Sequence, residues 1–264
     1  MPLVEIVGHF TGAHATLDHA LIVVIALIAP FLECVWFYPG HLRADAGGVP
    51  GARPRYYALV IATLWIMAGG VIAIWSAEGR PWSALGIGSA QPLRLGVGLA
   101  LAALVVVQLW AQQRALMARP KHLEAAMRQV VAAVPILPHT RGERLGFRVV
   151  AVTAGLCEEL LYRGYVMWYI GLWTGPIPAV VVSSIAFGAA HLYLNRDHAV
   201  RATLLGLALA TLVLTTGSLW PAIIIHAASD LFSGEMSFHA LARGDDPGRG
   251  TPVAGAQQAV LLGT

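Results

Sequence analysis

The chain has 264 residues, 57% hydrophobic and 12% charged, with a mean hydropathy of +0.68. A water-soluble domain is usually about a quarter charged, so this composition argues against one and makes the lipid bilayer the relevant solvent. The net charge of +3 comes from short basic clusters with no stripe of basic and aromatic residues, which leaves no signal for nucleic acid.

The N-terminus lacks a basic region followed by an early small-residue cleavage site, so no cleaved signal peptide is expected and the first apolar segment itself directs insertion. Apolar runs near 17–38, 56–77, 92–112, 146–172, 176–194, 199–217 and 219–238 predict about seven transmembrane helices. Residues 1–112 read as N-terminal transmembrane helices, 113–143 as a cytoplasmic loop, 144–240 as a catalytic transmembrane core, and 241–264 as a flexible tail rich in Gly, Pro and Asp. Within the loop, 120–138 reads as an amphipathic surface helix ended by Pro135 and Pro138. Basic residues alternate between loops. Arg43, Arg53 and Arg55 lie in the first loop, the third holds the largest group around Lys121, and loops four and six have none. That pattern predicts the N-terminus outside and the C-terminus in the cytoplasm, in what reads as a bacterial inner membrane. Trp36, Trp75, Trp110, Trp168, Trp173 and Trp220 fall near span ends and suit interfacial belts. Cys34 and Cys157 match no metal spacing and read as buried thiols. Asn195, Arg196 and Asp197 read as a cytoplasmic turn.

Charged groups in lipid are costly and usually pair or face the bundle interior. The last four spans contain Glu158, Glu159 and Arg163 in CEELLYR, His191 in FGAAH, and His226 with Asp230 in HAASD. Adjacent helical residues point about 100° apart, so Glu158 and Glu159 cannot do one job. Arg163 is four residues beyond Glu159, within pairing reach. Pairing these two leaves Glu158 free to act as a base. His226 and Asp230 share a helix face, as do Phe187 and His191. Glu33, in the first span, reads as a hydrogen-bond partner or pore-facing residue.

The ordered set EExxxR, FxxxH and HxxxD resembles the CAAX-protease and bacteriocin-processing family of intramembrane proteases, over roughly residues 145–240. The first three spans match nothing in that pattern. The resemblance implies an all-α integral membrane bundle with an intramembrane catalytic cavity. In it Glu158 and His191 activate water, and His226 with position 230 supports the oxyanion. Glu159, Arg163 and Phe187 are supporting residues. No cofactor is required if the cavity is dry and preorganised. The alternative is zinc held by Glu158, His191, His226 and Asp230. Asp230 stands where the prenyl-protease branch usually has Asn, and an ionised carboxylate cannot donate to an oxyanion. Its expected role is therefore through His226. The implied partners are the bilayer and a membrane-tethered protein or peptide, such as a prenylated protein, a bacteriocin leader or a sorting anchor.

Two other readings stay open on the residues alone. Buried Glu, His and Asp also serve transporters and proton relays, although no internal repeat is evident. A non-catalytic scaffold would have little reason to keep these ionisable groups. Depth adds a constraint. At 1.5 Å per residue, Glu158 lies about 18 Å from the cytoplasmic start of its span, while His226 lies about 10 Å and His191 about 22 Å from the outer starts of theirs. The three meet only if the fifth span is shifted outward or the seventh starts deep.

Overall fold

The computed structural model describes residues 13–88, 91–119 and 131–244, and within them it is helical with no strands. Among the described residues, seven helical rods form the bundle: α1 (13–46), α2 (Ala52–Ala77), α3 (Pro92–Met117), α4 (141–174), α5 (Pro176–Ala189), α6 (Arg196–Thr216) and α7 (Trp220–Gly244). They match the seven expected spans in order, with boundaries moved by a few residues. Four of them, α1, α2, α3 and α6, are long and apolar enough to cross a membrane by composition alone. The chain is therefore a membrane-integral helical bundle. Leu27, Phe31, Ile66, Leu93, Leu104 and Ile177 are exposed, an outer surface that only an apolar solvent would cover.

Local chemistry sets several boundaries. Thr140 caps α4 reciprocally: its hydroxyl accepts from the Glu143 N–H, and the Glu143 carboxylate accepts from the Thr140 N–H. Asn195 caps α6 by accepting from His198 N–H at 2.7 Å, so Arg196 and Asp197 begin a helix instead of closing a turn. Gly175, at φ +84°, supplies the reversal between α4 and α5. Two stretches of α1, Val24–Ile28 and Glu33–Phe37, and one of α4, Glu159–Val166, are wound as π-helix. Such widened turns are frequent at functional sites.

Two expectations about the chain between and after the helices change. Of the surface helix expected over 120–138, residues 120–130 lie outside the described residues. Val131–Ile136 is a 3-10 turn that runs inward, with Val134 and Leu137 buried. Its carbonyls explain why. Pro135 O accepts from the His41 ring at 2.9 Å and from Arg53 Nε at 3.0 Å, and Ile136 O accepts from Tyr57 Oη at 2.8 Å. The flexible tail expected from 241 is helical as far as Gly244, and its remainder, 245–264, also lies outside the described residues.

The main core draws on both halves of the chain, joining Ile25, Leu64, Val71 and Ala102 to Leu161, Tyr165, Phe187 and Leu209. At one end a polar clamp holds α1 to α4. The Arg80 guanidinium binds Asp18 through two nitrogens, at 2.9 and 2.6 Å, and Tyr165 Oη donates to the same carboxylate at 2.5 Å. Arg80 lies against the rings of Trp75 and Trp168, 5.3 and 5.0 Å from their centroids. Trp75 is therefore a core residue, 1% exposed, and neither it nor Trp168 serves as the expected interfacial belt. Trp36, Trp110, Trp173 and Trp220 do face outward.

At the opposite end Arg53 pairs with Asp45 at 2.8 Å and reaches Glu143 at 3.7 Å. Burial alone would raise the Glu143 carboxyl, but the N–H donors of His139 and Thr140 and the nearby Arg53 hold it below the usual carboxylate range. Burial, reinforced by Arg53, holds His139 below the ordinary imidazole value.

Candidate active site

Two helix contacts assemble the site. Gly155 of α4 meets Ala227 of α7 so closely that a Cβ on residue 155 would lie 2.8 Å from the Ala227 Cβ and 3.0 Å from its backbone nitrogen. One turn further along α4, the acids Glu158 and Glu159 therefore face His226. Gly188 makes the corresponding approach between α5 and α6, and Gly206 lets α6 pass over Arg163 and Phe187. The start of α7 is covered as well: Ser218 and Leu219 are buried beneath the 3-10 turn Trp82–Leu85, with the Leu219 N–H bonded to Gly86 O at 3.0 Å.

Glu159 and Arg163 pair at 2.9 Å, and both side chains are fully buried. The same Glu159 oxygen accepts from His226 Nδ1 at 2.7 Å. That second bond was not expected from the sequence, which assigned the orientation of His226 to Asp230. Asp230 and Glu158 instead stand at 3.7 and 3.8 Å from the other ring nitrogen, Nε2, too long for hydrogen bonds. Glu159 thus fixes the ring, and Nε2 is turned towards the two remaining carboxylates. Among the described residues, Glu158 Oε2 is buried and accepts no hydrogen bond. It is not committed to a structural donor.

His191 follows the end of α5. Its backbone N–H turns to Gly188 O at 3.0 Å, which frees Phe187 O to accept from the ring Nδ1 at 2.8 Å. That bond selects the tautomer with a lone pair on Nε2. Phe187 is the wall the groups share. Its ring lies 4.6 Å from His191 and 5.7 Å from His226, centroid to centroid, and the Arg163 guanidinium sits 4.0 Å from its centre. Glu158, His191, His226 and Asp230 all line one cavity of about 170 Å³, together with Tyr56, Tyr57, Tyr193 and Ser233. A second cavity, of about 110 Å³, also reaches Glu158 and His191 but runs between α1 and α2, past Glu33 and Pro30. Tyr193, which stacks on His191, and Glu33 complete the walls. No spacing pattern ties Tyr193 to the motif residues.

Residues 141–232 match the family model of type II CAAX prenyl endopeptidase Rce1-like proteins. Over that stretch the chain is similar to the CAAX-protease family. Among the three readings left open by the residues, the match supports the peptidase. No curated protein and no solved structure gives a significant match to the chain. The family match covers α4 to α6 and the first half of α7, and so includes every motif residue. Glu33 and Tyr56 lie outside it. Among the described residues, no group of three or more His, Cys, Asp or Glu is placed to hold a metal ion. The four residues weighed as zinc ligands line the same cavity.

Proposed function

We propose that the chain hydrolyses a peptide bond in a membrane-tethered protein or peptide through a water activated by Glu158. The carrying observation is the Glu158 carboxylate: it lines the cavity, accepts no hydrogen bond at Oε2 among the described residues, and faces a histidine oriented by another acid. In the reaction Glu158 takes a proton from water, and the hydroxide adds to the scissile carbonyl carbon. His191 Nε2 holds the same water by accepting its other proton. The carbonyl becomes an oxyanion, met by His226 Nε2. Donation from that nitrogen requires the ring to carry both protons, and the resulting charge is flanked by Glu159 on one side and by Asp230 on the other. Collapse breaks the carbon–nitrogen bond, and the proton held on Glu158 passes to the leaving amine. Asp230 works by balancing charge at His226, without donating to the oxyanion.

A prenylated or otherwise lipid-anchored substrate suits the description of the matching family and a site reached from the cavity between α1 and α2. The N-terminus faces outward and the C-terminus inward, as the charge alternation between loops predicts. The test is cleavage of a lipid-anchored reporter peptide by the pure protein in nanodiscs. Glu158→Gln is expected to lower the rate by at least about 10²-fold, the lower end of the contribution of a positioned base. Melting behaviour should not change. Cleavage at the wild-type rate by that variant would overturn the assignment.

A further inference from the structure

Glu33 has no role in the hydrolysis described above, yet it shares a cavity wall with Glu158 and His191. It belongs to an apolar segment of α1, where a carboxylate is costly unless something answers its charge. Glu158 and Asp230 face His226, and several other acids of the bundle have arginine partners. Asp18 has Arg80, Asp45 and Glu143 have Arg53, Glu159 has Arg163, and Glu235 has Arg144 and Arg148. Glu33 receives a hydrogen bond from Tyr56 Oη, and among the described residues it has no ion-pair partner. Around it stands a continuous set of rings. Tyr56 stacks on His41 with centroids 4.5 Å apart, Tyr38 lies 6.4 Å from Tyr56 and 5.0 Å from Tyr193, and Tyr193 leads to His191 at 6.3 Å. Tyr56 and Tyr193 line the same cavity as Glu33.

A carboxylate beside aromatic rings, in an apolar cavity, is the chemistry that recognises an organic cation. A single carboxylate does not make a shell for a metal ion, and no metal-binding group forms there among the described residues. We propose that Glu33, with Tyr56 and Tyr193, forms a subsite for a Lys or Arg side chain of the substrate close to the scissile bond. The proposal rests on Glu158 and His191 being the hydrolytic centre, since the subsite is placed relative to them. It also gives the first two helices, which lie outside the family match, a part in choosing the substrate. Membrane proteins commonly carry Lys or Arg just beyond an apolar segment, so a cation at this position would be common among tethered substrates.

The experiment uses full-length protein in nanodiscs and palmitoylated, fluorescein-labelled peptides identical except for one Lys, acetyl-Lys, Gln or Glu in an otherwise Ala and Leu segment. Binding is read by anisotropy in the Glu158→Gln background, where no cleavage competes. The Lys peptide is expected to bind about tenfold or more tightly than the other three, the scale of one charge-assisted hydrogen bond in a site shielded from water. Glu33→Gln, whose amide oxygen can still accept from Tyr56, should abolish that difference, and Glu33→Lys should favour the Glu peptide. Equal binding of all four peptides, including no measurable binding of any, overturns the subsite, as does a Lys preference that survives Glu33→Gln. Comparing Lys with acetyl-Lys tests the charge without altering the protein. Cleavage by the wild type is scored separately. Charge-selective binding without cleavage sinks the hydrolytic reading and keeps the subsite, whereas cleavage with no charge selectivity does the reverse.

Discussion

Glu159 is bound on two sides, and the two bonds can be separated by experiment. Its carboxylate and the Arg163 guanidinium are both fully buried and 2.9 Å apart, and Arg163 Nε and Nη2 have no hydrogen-bond partner among the described residues. Removing the negative charge alone leaves a buried cation that has lost its carboxylate partner. Breaking a buried pair in this way costs about 3–5 kcal/mol, or from about 10²-fold to several thousand-fold in the folding equilibrium. Glu159→Leu is expected to lose that amount in a reversible unfolding measurement in micelles. Replacing both partners, as Glu159→Leu with Arg163→Met, removes the orphaned charge and should recover most of the loss. Peptide cleavage should not recover with it, because His226 Nδ1 has lost its acceptor in both variants. Restored stability with activity still absent is the expected result. A single variant within 1 kcal/mol of wild type would refute the cost assigned to the pair, and activity returning together with stability would refute the hold of Glu159 on His226.

Chelation by EDTA or phenanthroline should leave cleavage unchanged if Glu158 alone activates the water; loss of activity restored by Zn²⁺ would overturn that mechanism. Gly155→Val forces α4 and α7 apart at a backbone contact, so it should destabilise the protein by about 1–3 kcal/mol and depress cleavage by drawing Glu158 and Glu159 away from His226. Ala227→Gly should restore part of both in a melting and cleavage assay; wild-type cleavage in Gly155→Val would show that the close approach does not set the site. Acid should loosen the loop end of the bundle. The depressed Glu143 carboxyl stabilises the fold above its unfolded value of about 4.3, and that contribution is lost as pH falls through its lower folded value. Depressed His139 adds a loss that starts near its unfolded value of about 6.5 and runs down through its folded one. Glu143→Gln keeps an N-terminal cap but should flatten the acid limb of a plot of Tm against pH, and an unaltered limb would refute the ionic role.

Much of the bundle was legible because lipid imposes a length on apolar runs, and the seven runs appear as seven rods. Intrahelical relations were legible for a similar reason. Glu159 and Arg163 share a face at a spacing that can be counted, and they pair. Contacts between helices were not. The bond from His226 to Glu159 spans 67 positions and exists because Gly155 admits α7, yet Gly155 is one glycine among 28. Trp75 read as a belt residue, because no local spacing connects it to the clamp of Arg80 with Asp18. Residues 131–136 were misjudged on composition: their apolar side chains suit a surface helix, but their carbonyls are claimed from within by His41, Arg53 and Tyr57. Glu33 could be found as an acid in an apolar segment, though its place beside Glu158 depends on how α1 packs.

The clamp of Asp18, Arg80 and Tyr165 bears on what can be cut away. The family match begins at residue 141, and that boundary invites treating the segment from 141 onward as an excisable module. Tyr165 and Trp168 lie inside the segment, but the carboxylate and guanidinium they contact are supplied from outside it. A fragment starting at 141 would leave the Tyr165 hydroxyl without its acceptor and strip the outer face from the helix that carries both glutamates. The unit that folds is wider than the unit that is recognised, and the helices outside the match are part of what holds it in shape.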